Sequence, residues 1–188
     1  LLADADGVIV SYGKSGRTWL RVMITRYFAH KHDLADGHIL VFDEFHRLNS
    51  DIPKLFFSHD NYIKDYLGTD HKLDIYGKHR IVLLVRDPRD TAVSWYFQWK
   101  HRMLKRKKVI NWAPLEDPGI YNFISGEAAG VPKIINFLNA WARDLESFPN
   151  LMVVKYEDLR TNTKTELGRI LTFLGEAPSA ATISYEPR

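Results

Sequence analysis

Residues 7–20, Gly-Val-Ile-Val-Ser-Tyr-Gly-Lys-Ser-Gly-Arg-Thr-Trp-Leu, restrict what this chain can fold into more than any other stretch. Val8 to Val10 is an apolar run of strand type. It leads straight into a short loop, Gly13 to Thr18, holding two glycines, a lysine and two hydroxyls. Trp19, Leu20, Met23, Ile24, Tyr27 and Phe28 then recur at helical spacing. The pattern predicts strand, tight loop, helix. Backbone N–H groups at a helix start lack intrahelical acceptors and favour negative charge, so the loop suits a phosphate-like anion. Lys14 adds a mobile positive charge there.

The spacing is not that of a nucleotide-triphosphatase P-loop. That motif puts four residues between its first glycine and Gly-Lys-Ser/Thr. Counting back from Gly13, the required position is Val8, and Gly7 lies one residue too far. Lys14 stands where the loop begins, so a related but different anion cradle is implied.

Further along, strands and helices alternate. Residues 39–42 and 54–58 read as short strands and residues 61–67 as a short helix. Ile81 to Val85 is a continuous apolar run, the mark of a strand covered on both faces of a parallel sheet. Pro88 suits the first turn of the next helix. A turn-rich loop follows over residues 105–130, then a long helix with Ile134, Leu138, Trp141, Leu145 and Phe148 on one face. Leu151 opens another strand. A last helix, capped within residues 161–163, buries Leu167, Ile170, Leu171 and Leu174 and is stopped by Gly175 and Pro178. The order predicts one α/β domain over residues 1–188, with a central, mostly parallel sheet flanked by helices and ligands at the carboxyl ends of its strands.

Composition fits one sizeable core: 188 residues, 45% hydrophobic and 26% charged. With no cysteine, a disulfide framework and a thiolate metal site are excluded. No His/Asp/Glu set has metal-ligand spacing. No run reaches the length of a transmembrane segment and no signal pattern opens the chain, so the default expectation is cytoplasmic.

Three segments carry a family resemblance. Tyr12-Gly-Lys-Ser-Gly-Arg-Thr-Trp19 resembles the 5′-phosphosulfate loop, Tyr-Pro-Lys-Ser-Gly-Thr-Thr-Trp, of sulfotransferases that use 3′-phosphoadenosine 5′-phosphosulfate (PAPS), departing at Gly13 and Arg17. Arg86-Asp-Pro-Arg-Asp-Thr-Ala-Val-Ser94 is similar to their 3′-phosphate site at every position. Tyr156-Glu-Asp-Leu159, after an apolar strand, is similar to a segment whose tyrosine lies near the adenine. Singly, Arg86, Asp87 and Arg89 also suit a surface ion-pair cluster and Trp19 an ordinary core position. The resemblance rests on all three segments in the family's order.

The resemblance implies a P-loop-NTPase-like sulfotransferase fold. It also implies an enzyme moving the sulfuryl group of PAPS to an acceptor hydroxyl, with 3′-phosphoadenosine 5′-phosphate (PAP) as product and no metal. Lys14, Ser15, Gly16, Arg17, Thr18 and Trp19 would hold the donor, Trp19 stacking on the adenine. Arg86 and Ser94 would grip the 3′-phosphate, and Tyr156 would lie by the base. Lys14 and His59 are the expected catalytic groups. Among eight histidines, His59 ends a strand where the family commonly has Lys-Thr-His-Leu-Pro, and only the hydroxyl–histidine pair Ser58-His59 is kept; the usual lysine is Phe57. Three placements are open for Arg17: on the cofactor, on an anionic acceptor, or out to water, the last being the reading taken. The family's later Arg-Lys-Gly-type segment has no match after Gly175, which implies a chain incomplete at its C-terminus or a looser hold on the cofactor.

Residues 100–108 hold six of the 26 basic residues and no acid; without them the formal charge would lose its positive sign. A solvated loop is the plain reading. Attraction of an anionic acceptor, a glycan or lipid-linked hydroxyl, is the sharper one. Small alcohols and phenols stay open. Rival readings are a P-loop nucleotide kinase such as an adenylylsulfate kinase, a catalytically silent PAPS-binding protein, and a nucleic-acid-binding module. The last is disfavoured because the basic charge is confined to one segment.

Overall fold

The computed structural model of the chain describes residues 1–35, 39–60, 71–110, 113–179 and 183. Its framework is four strands, β1 (Gly7–Ser11), β2 (Leu55–Ser58), β3 (Arg80–Val85) and β4 (Leu151–Lys155). They lie in the order β2-β1-β3-β4 and every pair is parallel. In register, Val8 sits between Phe56 and Ile81, and Leu83 between Val10 and Val153. The described helices are α1 (Arg17–Lys31), α2 (Glu44–Leu48), α3 (Lys72–Tyr76), α4 (Pro88–Arg102), α5 (Lys105–Ile110), α6 (Ile120–Ser125), α7 (Val131–Asp144), α8 (Tyr156–Thr161) and α9 (Thr163–Phe173).

Successive strand residues point to opposite faces, so each apolar strand supplies two cores. Ile9, Val82, Leu84 and Val154 pack with Leu20, Ile24 and Phe28 of α1 and Leu167, Ile170 and Leu171 of α9. Val8, Val10, Ile81 and Leu83 pack on the other face with Ile75 and Tyr76 of α3 and Trp141 of α7. Full burial of each such aliphatic side chain is worth roughly 1.5–3 kcal/mol. A third cluster joins Tyr96 and Trp99 of α4 to Phe123 of α6, and the Trp99 indole N–H donates to the Pro114 carbonyl at 2.7 Å. That cluster fastens α4 beside the carboxyl ends of the strands.

Several expectations are corrected. Residues 39–42 are not a strand: the Leu40 N–H is taken at 2.9 Å by the Thr25 hydroxyl of α1, and Val41 enters a turn to Glu44. Residues 105–130 hold two short helices, α5 and α6, rather than a continuous loop. The long helix stops at Asp144, leaving Leu145 in a 3₁₀ turn and part exposed, while Ile134, Trp141 and Phe148 are buried. No side chain caps α9; the Thr161 and Thr163 hydroxyls turn back to carbonyls of α8. Its end is as expected. Gly175, at φ +99°, lets Glu176 N–H reach the Leu171 carbonyl and its own N–H reach Thr172. The helix expected at residues 61–67 lies outside the described residues.

Candidate active site

β1 ends at the buried Ser11, and the chain turns over Gly13–Gly16 into α1. Lys14 (φ 73°) and Gly16 (φ +92°) both take positive φ, which coils the loop tightly. Gly16 has a second reason to be glycine: a Cβ there would stand 2.5 Å from the Tyr156 ring. The first amides of α1, those of Arg17 and Thr18, lack intrahelical acceptors. Ser15 is buried beneath the loop and its N–H donates to the Tyr12 carbonyl at 3.3 Å. Its amide is therefore used within the turn.

Arg86 follows β3, where the strand hands over to α4. Pro88 opens that helix and the Asp87 carboxylate caps it through the Arg89 N–H at 2.8 Å. The Arg86 guanidinium donates from Nη1 to the Lys14 carbonyl at 3.0 Å and lies over the Tyr156 ring, 4.4 Å from its centroid. Trp19 meets the same ring edge-on at 5.9 Å. Loop, strand end and α8 are thus tied around one tyrosine. Arg86 Nε is buried with no partner.

Lys14 donates to Gln98 Oε1 of α4 at 3.3 Å. Burial, then Arg102 and Arg86, push its ammonium below the ordinary lysine value. Arg17 is pushed down to about 10 by burial and by Arg21, one turn further along α1.

His59 follows the last residue of β2. Its Nδ1 lies 2.9 Å from the Ser11 carbonyl at the end of neighbouring β1. A carbonyl only accepts, so the proton belongs on Nδ1 and Nε2 keeps the lone pair. Burial and the Arg17 charge hold the imidazole below its usual pKa, against the opposing Ser11 bond. The ring is built to be neutral.

These groups share one cleft of about 430 Å³, lined by Lys14, Gly16, Arg17, Thr18, Trp19, His59, Arg86, Ser94 and Tyr156. Ser15 is the one expected site residue not on its wall. Gln98 and Trp95 of α4 and Gly13 also line it, and the sequence reading missed them; Gln98 lies one turn beyond Ser94, so the helical spacing pointed to it. Among the described residues no carboxylate is on the wall, and its cations, Lys14, Arg17 and Arg86, suit an anion. Arg17 lines the cleft, within reach of a cofactor or acceptor bound there. The basic run is corrected: it ends α4 and forms α5, with Lys100 paired to Asp117 at 2.9 Å and Lys108 over the Trp99 ring at 4.0 Å. Among the described residues no group of three or more His, Cys, Asp or Glu could hold a metal ion. No described helix is long and apolar enough to cross a membrane.

The fold is found in solved sulfotransferases. The chain is similar to mouse sulfotransferase SULT7A1 complexed with PAP (TM-score 0.57, 19% identity, 96% of this chain and 62% of that one). It is also similar to the sulfotransferase from Alicyclobacillus acidocaldarius (TM-score 0.52, 17% identity, 98% and 86%). In sequence it is 26% identical to cytosolic sulfotransferase 3 of Arabidopsis thaliana, over 92% of this chain and 54% of the relative. It is 23% identical to human sulfotransferase 2A1, over 94% and 61%. The chain thus spans between half and two thirds of the length of these two relatives. The family model described as the sulfotransferase domain matches residues 4–185, and on that extent this chain belongs to the sulfotransferase domain family.

Proposed function

We propose that the chain catalyses transfer of a sulfuryl group from PAPS to an acceptor hydroxyl, with PAP as the other product. The observation that carries this is a cleft, without a carboxylate among its described lining residues, that unites the anion loop, the Arg86 fork and a histidine with a free Nε2 lone pair at the ends of three adjacent strands. The residues present fit the donor: Arg86 Nε is a buried donor without a protein partner, and Gly16 has no Cβ where the Tyr156 ring packs.

The donor, when bound, supplies an activated sulfuryl group, and the rest is done by side chains. Lys14 and the loop amides past Ser15 hold the negative charge that builds on the leaving phosphate oxygen. Arg86 and Ser94 grip the 3′-phosphate, for which a planar guanidinium is well shaped. Trp19 and Tyr156 hold the adenine. His59 accepts the acceptor's proton at Nε2 as the new S–O bond forms and the old one breaks.

For the acceptor we favour a hydroxyl on an anionic molecule, a glycan or lipid-linked one. Arg17 and His59 line the same cleft, with the charges of Lys14 and Arg86 beside them, although Arg86 also has the Asp90 carboxylate 3.7 Å from Nη2. The plant relative is named as cytosolic, and a cytoplasmic place for this chain rests on that name.

Calorimetric titration with PAP, beside ATP–magnesium, tests the donor site in wild type and Arg86→Ala. PAP should bind without magnesium and weaken at least about tenfold in the variant. Preference for ATP–magnesium would overturn the reading. A sulfate-transfer screen of anionic and neutral alcohols, with His59→Ala as control, tests the chemistry and the acceptor class.

A further inference from the structure

The Asp60 carboxylate, next to His59, belongs to no part of the proposed chemistry, yet it is held by three side-chain donors. Its side chain is 6% exposed. It accepts hydrogen bonds from the Tyr76 hydroxyl at 2.9 Å, from the Trp141 indole N–H at 3.1 Å, and from the Lys72 ammonium. Lys72 in turn lies over the Trp141 ring, 4.8 Å from its centroid. The Asp60 N–H donates to Ser58 Oγ at 2.8 Å, and Ser58 Oγ lies 3.4 Å from the Tyr76 hydroxyl. Lys72 and Tyr76 belong to α3 and Trp141 to α7, both packed on the sheet face opposite α1.

A buried carboxylate is tolerated only when paired and hydrogen-bonded, and here two helices supply three donors for it. Asp60 itself has φ 57°, a left-handed conformation that aspartate tolerates better than most residues. The bonds oppose the escape of this residue from that conformation. Its neighbour His59 extends the other way, to the Ser11 carbonyl and the cleft. In the family pattern quoted above, the residue after the histidine is leucine, which could accept none of these bonds.

We infer that Asp60 is the positioning residue for His59: Lys72, Tyr76 and Trp141 lock the turn after β2 from one face of the sheet, and this aims the imidazole into the cleft at the carboxyl ends of the strands. The inference rests on the reading of His59 as the base. The lock holds the backbone at residues 58–60 and the Ser11 carbonyl holds Nδ1, so the ring has neither end free. With the lock opened, His59 is held by the Ser11 bond alone. Misplacement of a catalytic group by about 1 Å can lower turnover about a hundredfold.

The test compares Asp60→Asn, Lys72→Met and Trp141→Phe, each in the wild-type and His59→Ala backgrounds. Asp60→Asn should lower kcat about ten- to a hundredfold and leave PAP affinity within about twofold. Trp141→Phe, which keeps a ring but removes one donor, should act in the same direction by less. In the His59→Ala background the same substitutions should change the residual rate less than about twofold, because there is no ring left to aim. Long-range proton–nitrogen NMR reads the ring directly: His59 should be a single Nδ1–H tautomer in wild type and an averaged or broadened one in Asp60→Asn. An unchanged His59 signal, an equal loss of rate in both backgrounds, or a matching loss of PAP affinity overturns the inference. Full turnover by His59→Ala instead overturns the base, while the NMR result still judges the lock. If Asp60→Asn does not fold, Trp141→Phe and Lys72→Met carry the same comparison.

Discussion

Gly16→Ala probes the joint between the anion loop and α8. At φ +92° an added Cβ meets backbone strain worth about 1–2 kcal/mol. It also stands 2.5 and 2.8 Å from two carbons of the Tyr156 ring. That ring cannot swing aside easily, because the Arg86 guanidinium lies over it and Trp19 meets it edge-on. Overpacking of this kind costs about 1–3 kcal/mol. Together the substitution should destabilise the fold by about 2–5 kcal/mol, a large share of the roughly 5–15 kcal/mol typical of domains. Urea unfolding of wild type, Gly16→Ala, Tyr156→Ala and the double variant separates the two contributions. In the Tyr156→Ala background the overlap is gone, and Gly16→Ala should cost only the conformational part, about 1–2 kcal/mol. An equal cost in both backgrounds would refute the claim that the ring excludes a side chain from position 16.

Arg86→Lys keeps the charge but loses the fork that reaches the Lys14 carbonyl and the flat contact with Tyr156. PAP affinity should fall about tenfold or more with little change in unfolding midpoint, and an unchanged Kd would count against Arg86 as the phosphate clamp. The acid limb of kcat/KM should follow His59, whose pKa lies below its ordinary 6.5, with activity lost as pH falls and the ring gains a proton. Arg17→Met removes a positive charge that opposes that proton, so the inflection should move to higher pH; a fixed inflection would separate Arg17 from His59. Ile9→Ala, at a wholly buried position on the central strand, should destabilise by about 2–5 kcal/mol in denaturant unfolding, and a loss under about 1 would mean that β1 is not covered as described.

Much of the frame was legible along the chain because its signals are local. Strand β1, the Gly13–Gly16 turn and α1 are contiguous, and a buried parallel strand such as β3 announces itself as an unbroken apolar run. Arg86, placed where a strand hands over to a helix, was singled out by the resemblance of its segment to a 3′-phosphate site, since its position alone also suits a surface ion pair. The misreadings share one cause. Residues 39–42 have strand composition, but whether a backbone pairs with a strand or with the Thr25 hydroxyl depends on what lies beside it in space. Likewise, nothing local says that the Thr161 and Thr163 hydroxyls turn back to α8 rather than forward to cap α9.

The site divides along the same line. Its residue types and order were written in the sequence: a glycine-framed lysine, an arginine after an apolar strand, a histidine ending another. Only the tertiary structure decided how they work together. It put the Ser11 carbonyl against His59 Nδ1, which selects the tautomer, and turned Arg17 into the cleft, where burial first and then that charge hold the ring's pKa below its ordinary value. It also brought Lys72, Tyr76 and Trp141 onto one buried carboxylate from up to 81 positions away. Periodicity reports which face of its own element a side chain occupies. Protonation and aim are set by neighbours across the sheet, and those exist only once the strands have paired in register.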